Sequence, residues 1–242
     1  MRMSPSPVPG LPRRVAAELV GTAALVAVII GSGIRADSLS QDIAVRLLAN
    51  SLASAVGLGV LIALLGPLSG AHFNPVVTLS EWWARRGEDG APDAREVGLY
   101  LSAQLAGAVA GALLAEAMFG RSPGGWATQV RSDTPLLLGE TVATAGLVLV
   151  VQGLRRIGRP SLAPVAVAAY IGAAIWFTSS GSFANPAATV GRAFSDSFTG
   201  IAPGSLPGFI GAQLLGALVG ITLATVLYGS DEPKGPVLRR TG

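Results

Sequence analysis

Apolar residues occur along this chain in long runs, and most of the charged residues lie in the short segments between them. Each run has about 20 residues, which is the length that an α-helix needs to cross the hydrocarbon core of a bilayer. The pattern therefore predicts an all-α integral membrane protein. The six predicted transmembrane helices are Val15–Ile34, Leu47–Leu68, Val97–Phe119, Leu136–Leu154, Leu162–Phe177 and Phe209–Tyr228.

Two Asn-Pro pairs open apolar segments that are too short to cross a membrane. Asn is a preferred helix N-cap and Pro a preferred first helical residue, so each pair predicts a helix start. Each pair follows a long apolar run, and short helices at membrane depth are tolerated only where they line a cavity or are buried in protein. Two re-entrant half-helices and a pore are therefore the leading hypothesis, with the motif residues Asn74, Pro75, Val76, Asn185, Pro186 and Ala187.

Three landmarks recur in the same order in both halves of the chain: a glutamate within an apolar run, the Asn-Pro pair, and an Ala-Gln-Leu sequence. Glu18 matches Glu140 and Gln104 matches Gln213, at offsets of 122 and 109 residues, against 111 residues for the Asn-Pro pairs. Each half contains an odd number of predicted spans, so the second half enters the membrane from the opposite side. The sequence thus predicts an inverted three-helix repeat whose half-helices meet near the midplane.

This duplication sets the expected domain organisation. A single domain covers residues 1–242, with pseudo-repeats at about 14–120 and 135–228. The first residues are rich in Ser and Pro, and we expect disordered tails at 1–12 and 230–242.

The distribution of basic residues favours one topology. With the N-terminus in the cytoplasm, the cytoplasmic segments hold twelve Lys and Arg residues and the external segments hold five, which is the positive-inside bias. We therefore expect a multi-pass protein of the cell membrane, in contact with lipid, with both termini cytoplasmic. This bias accounts for the net charge of +3 without a nucleic-acid partner.

The composition argues against several chemistries. The chain has no cysteine and one histidine, His72, whereas zinc, haem and iron–sulfur sites need clusters of these residues. We expect no metal, no cofactor and no catalytic residue. An intramembrane enzyme would need a nucleophile and a base, and the sequence offers no convincing pair.

Glu18 and Glu140 are costly at membrane depth and need partners. One reading is a relay for protons or ions; the other, which the duplication favours, is support of the pore loops through hydrogen bonds from backbone N–H groups. His72 either gates the pore by pH or holds the loop before the first half-helix as a neutral side chain, which we favour.

The Asn-Pro motifs, the lead-in Ser69–Pro75 and the duplicated glutamates resemble the aquaporin, or major intrinsic protein, family. The resemblance covers roughly Arg14 to Tyr228. It implies a homotetramer in which each subunit has its own pore for water or small neutral solutes.

The sequence departs from the family slightly in the first Asn-Pro motif, at Val76, and more seriously at the pore constriction, at Ala188. The family usually has Ala at the position of Val76, and Arg at the position of Ala188. Spacing from the motifs carries the other constriction positions over to Ser54, Ala173 and Ser182. Small residues at all four positions imply a wide pore, similar to a bacterial branch associated with arsenic resistance that passes arsenite-like species and small polyols.

Two questions stay open at this level. Arg192, four residues after Ala188, either supplies a displaced positive charge in the outer vestibule or reaches lipid headgroups. The alternatives to a wide channel are a strictly water-selective aquaporin and a secondary transporter with broken helices, for which the two buried glutamates are the only candidate ion ligands.

Overall fold

The computed structural model describes residues 9–88, 90–122 and 124–229. In these ranges the chain forms eight α-helices, together with single 3₁₀ turns at Pro160–Leu162 and Pro203–Ser205. The helices are α1 Leu11–Leu39, α2 Ile43–Ser69, α3 Pro75–Ala84, α4 Ala94–Met118, α5 Thr134–Arg156, α6 Ala163–Phe177, α7 Pro186–Arg192 and α8 Leu206–Tyr228.

Six helical segments are long and apolar enough to cross a membrane, which confirms the predicted count of spans. The first begins earlier than predicted: Leu11 and Pro12, assigned to a disordered tail, are helical. Pro is compatible with this position because the first N–H groups of a helix have no intrahelical partner. The remaining tail residues, 1–8 and 230–242, lie outside the described ranges.

The two short helices begin at the predicted residues. Asn74 and Asn185 are the N-caps of α3 and α7, and Pro75 and Pro186 are their first helical residues. With 10 and 7 residues, these helices are about 15 and 10 Å long, against about 30 Å for a hydrocarbon core. Each half of the chain thus contains three long helices and one half-helix.

Glycines let the long helices pack closely in both halves. A Cβ added at Gly107 or Gly111 of α4 would lie 2.4 or 2.2 Å from a backbone oxygen of α1. A Cβ at Gly216 or Gly220 of α8 would lie 2.5 Å from a backbone oxygen of α5. The two glycine pairs therefore have the same role in both repeats. Each allows the backbones of the first and third long helices of its repeat, α1 with α4 and α5 with α8, to come into contact.

Of the six membrane-crossing segments, those containing α2 and α6 have the smallest share of buried residues. On α2, exposed apolar side chains recur every four residues at Leu48, Leu52, Val56, Val60 and Leu64. Such a continuous apolar stripe suits lipid or the corresponding face of another subunit.

We predict that Gly111→Ala destabilises the protein by about 1–3 kcal/mol, because the new methyl group overlaps the carbonyl of Ala23 and forces α1 and α4 apart. Gly98→Ala on the same helix is the matched control, since its Cβ meets no atom within 4 Å. The measurement is the temperature at which detergent-solubilised protein loses its monodisperse elution peak. Equal shifts for both variants would show that the helix contact is not responsible.

Candidate functional site

A cavity of about 1330 Å³ passes between the starts of the two half-helices. At one end it is lined by Arg85, after α3, and by Glu96 of α4. At the other end it is lined by Arg131 and Phe198, from the loops before α5 and after α7. The cavity therefore extends along the helix bundle between opposite ends of the transmembrane segments.

The two Asn side chains join the halves of the chain across this cavity. Asn74 donates from Nδ2 to the carbonyl of Ala184, and Asn185 donates from Nδ2 to the carbonyl of Phe73, each at 2.8 Å. Their Oδ1 atoms accept from the first N–H groups of the helices that they cap. Because an amide nitrogen carries two hydrogens, each Asn keeps one N–H that a solute in the cavity can use.

The loops before the half-helices contain residues in an unusual backbone conformation. Ala71 and Phe73 in the first loop, and Ser182 and Ala184 in the second, have φ between 45° and 51°. Non-glycine residues in this region are uncommon, and each costs about 1–3 kcal/mol unless the surroundings hold it. Alternation of this kind turns successive N–H groups towards one side, where they form a concave site for an anion.

Glu18 and Glu140 occupy those two sites, and both are fully buried. Glu18 accepts from the N–H groups of His72 and Phe73 at 3.0 and 2.7 Å. Glu140 accepts from those of Phe183 and Ala184 at 2.8 and 2.9 Å. Neither glutamate lines the cavity. The contacts are those of the loop-support reading, and they leave the carboxylates away from the solute path.

Two glutamines extend this arrangement to the half-helices. Gln104 donates to Glu18 at 2.8 Å and to the Thr78 hydroxyl at 2.9 Å, so α1, α3 and α4 meet at one side chain. Gln213 does the same with Glu140 and Thr189, at 2.7 and 2.8 Å. In the sequence, these glutamines stand out only as landmarks of the repeat. Their matched position beside the glutamates was the signal that could have identified their role.

His72 lies at the edge of the cavity beside the same network. Its Nδ1 is 3.1 Å from the Thr78 hydroxyl, and its ring packs edge-on against Tyr100 with 5.6 Å between the ring centroids. The contact with Thr78 ties the loop to the half-helix, as the support reading requires.

Three of the four predicted constriction residues line the cavity, namely Ser54, Ser182 and Ala188. The hydroxyls of Ser54 and Ser182 are buried and have no protein hydrogen-bond partner among the described residues. Ala188 is 2% exposed and contributes a methyl group where the family usually has Arg.

The placement of Ala173 in the constriction was wrong. Its side chain is exposed on the outside of α6 and does not line the cavity. The residues of this helix that line the cavity include Val167, Ile171 and Ile175, which follow one another every four residues. Ala173 is two residues from each isoleucine, about 200° around the helix. Branched aliphatic side chains thus line this stretch of the α6 wall, where the sequence predicted a small one.

Arg192 lines the cavity and is only 8% exposed. Its Nε donates to the carbonyl of Thr199 at 2.5 Å, and its guanidinium carbon lies 3.2 Å from the centroid of the Phe183 ring. The side chain is therefore covered by protein rather than extended towards a membrane surface. Arg131 lies against the same ring, at 5.2 Å. Sequence reasoning missed Arg131 because it stands in a loop without a motif or a repeat partner.

Six membrane-crossing helical segments around a cavity, with two half-helices whose Asn caps meet inside it, define a membrane channel of the aquaporin fold. The chain belongs to the major intrinsic protein family, since the sequence model described as "Major intrinsic protein" matches residues 8–178. The predicted fold class and the family resemblance are thereby confirmed.

Two relatives that match nearly the full length of the chain support the same family assignment. The chain is 45% identical to aquaglyceroporin AqpS of Rhizobium meliloti over 231 residues, covering 96% of this chain and 95% of the relative. It is 31% identical to the probable aquaporin AqpM of Archaeoglobus fulgidus, covering 90% and 96%. The solved aquaglyceroporin from Plasmodium falciparum has the same fold, with a TM-score of 0.62 at 22% identity over 91% of this chain and 96% of that one.

We predict that Glu140→Gln lowers stability while channels that do fold stay permeable. The Gln amide retains one acceptor oxygen, so a buried loop N–H loses its partner at a cost of about 1–3 kcal/mol. Asp133→Asn is the control, because this exposed carboxylate makes no capping hydrogen bond. Thermal stability in detergent and permeation in liposomes are measured together. Normal stability with abolished permeation would instead indicate a relay.

Proposed function

We propose that this protein is a passive channel for water and small neutral solutes of the glycerol type. The observation that carries the proposal is the pair of Asn amides, each fixed by a cap and a cross-loop hydrogen bond and each offering one N–H to the cavity. A solute with hydroxyl groups exchanges its bonds to water for bonds to these donors. The aliphatic wall from Ile171 and Ile175 gives it few other partners.

The same geometry supports exclusion of cations and protons. Both half-helices present their positive N-terminal ends to the middle of the cavity. A water between the two amides accepts from both Asn residues, so the donor direction reverses there and a continuous proton wire is interrupted. Small neutral molecules carry no charge for this field to oppose.

The outer constriction favours solutes larger than water. Ala188 leaves the volume that Arg fills in many family members, and Ser54 and Ser182 add only small side chains to the same lining. The 45% identity to a relative named aquaglyceroporin supports glycerol-like polyols. Arsenite-like neutral trihydroxy species have a similar size and hydrogen-bonding capacity, and we include them in the proposal. A strictly water-selective channel is the alternative.

The exposed apolar surface of α2 and the distribution of basic residues support an oligomeric state and a membrane topology. We propose a homotetramer in the cell membrane, because the apolar stripe on α2 provides a face for a neighbouring subunit. The excess of basic residues in the segments assigned to the cytoplasm supports cytoplasmic termini. A secondary transporter is disfavoured, since Glu18 and Glu140 are occupied by loop N–H groups. The names of the relatives support a channel rather than an enzyme.

The test is stopped-flow light scattering on proteoliposomes with water, glycerol and arsenite gradients. We expect all three fluxes to exceed those of empty liposomes, to rise linearly with concentration, and to be independent of ion gradients. Water flux alone would select the water-specific alternative. Saturable, gradient-dependent uptake would select a transporter.

We predict that Ala188→Arg reduces glycerol and arsenite flux at least about tenfold while sparing water, because the guanidinium fills the constriction. The substitution is made with Arg192 intact and again with Arg192→Ala, because Arg192 lines the same cavity one helical turn away. Unchanged flux of the larger solutes in both backgrounds would show that position 188 is outside the constriction.

We predict that replacing Asn74 and Asn185 together with Asp increases cation leak. The carboxylates would offset the positive charge of the helix ends. They would also have no N–H to donate to the carbonyls of Ala184 and Phe73. Asn50→Asp is the matched control, since Asn50 lines the cavity away from the half-helices and bonds to the carbonyl of Ile29. The measurement is proton and potassium flux in liposomes. Free proton conduction by the unmodified protein would refute this account of exclusion.

A further inference from the structure

Two arginines lie side by side at the cavity end that the topology assigns to the outside. Arg192 and Arg131 donate from Nε to consecutive backbone carbonyls, those of Thr199 and Gly200, at 2.5 and 2.9 Å. Both guanidinium groups also lie against the Phe183 ring. Consecutive carbonyls and a shared aromatic ring thus hold the two groups in fixed positions, and both residues line the cavity.

Much of the hydrogen-bonding capacity of this pair is unused. Of the terminal nitrogens, Nη2 of Arg131 donates to Gln129. The other three have no protein hydrogen bond within the described part of the chain, and neither arginine forms a salt bridge there. A guanidinium has five donors and no acceptor. The terminal donors at the cavity therefore remain for a ligand.

The local charge is positive. Among the residues that the structure describes, the acidic ones that line the cavity are Glu81 and Glu96, and both belong to its opposite end. Glu140 is the carboxylate that interacts electrostatically with both arginines, and its oxygens already accept hydrogen bonds from two loop N–H groups and Gln213. The two arginines and Glu140 together have a net charge of about +1, which favours the binding of a monovalent anion.

We propose that Arg131 and Arg192 form a binding site for a small monocarboxylate at the outer mouth of the channel. The planar fork of a guanidinium pairs with the two oxygens of a carboxylate, and such charge-assisted bonds are stronger where protein excludes water. The binding step rests on the geometry alone. Its consequence rests on the proposed function: a bound carboxylate occupies the outer mouth and slows the passage of glycerol.

Binding is tested with ¹³C-formate at pH 7, by NMR line broadening with detergent-solubilised protein. We expect saturable broadening that weakens at least about tenfold in Arg131→Gln and in Arg192→Gln. Arg192→Lys is a second variant, which keeps the charge but loses the fork, and it is used where burial of Arg192 prevents the Gln variant from folding. Arg35→Gln is the matched control, because Arg35 is exposed on the same predicted side and does not line the cavity.

The second arm measures glycerol efflux from proteoliposomes with external formate. We expect slowing over the formate concentrations that saturate binding, and no slowing in Arg131→Gln. Absent binding to the unmodified protein, or equal weakening in Arg35→Gln, overturns the proposal. Binding without any slowing of a measurable glycerol flux overturns the placement in the conducting path. Arginine-dependent binding by a protein that conducts no glycerol supports the site and contradicts the proposed function instead.

Discussion

Backbone polar groups within a membrane must find partners inside the protein, and this requirement organises the structure around two buried carboxylates. Each half of the chain brings a non-helical loop to membrane depth, where its N–H groups cannot reach bulk water. Glu18 and Glu140 accept these groups, and Gln104 and Gln213 connect them to the half-helices. The loop residues with positive φ are thus stabilised by carboxylates that lie on the side away from the cavity.

This arrangement separates support from selectivity. The charged atoms that hold the loops do not line the cavity, whereas the side chains at its middle are neutral amides in fixed orientations. Solutes therefore meet donors whose direction does not depend on a titrating group. Charged side chains line the cavity at its ends, with Arg131 and Arg192 at one end and Glu96 at the other.

The sequence predicted the features that depend on local chemistry or on the repeat. Asn-Pro pairs identify helix starts by themselves, and duplication revealed the inverted topology. Prediction failed where the result depends on helix rotation or on a loop path. Ala173 was placed in the constriction by its spacing from the motif. Spacing does not determine which face of α6 points towards the cavity, and the structure has Ile171 and Ile175 on that face. Arg131 reaches the cavity because its loop runs beside Gly200, a contact between residues 69 positions apart.

The hydrogen bonds between the two Asn side chains and the opposite loops also bear on how the protein is made. The acceptor of Asn74 lies 110 residues further along the chain, and Asn185 returns to a loop 112 residues earlier. At about 5–20 residues per second, the first loop exists for several seconds before its partner has been synthesised. During that time α3 lacks the surface that closes it off from lipid. Its entry to full depth is therefore expected to await the second half, so that the pore is assembled in one late step of membrane insertion.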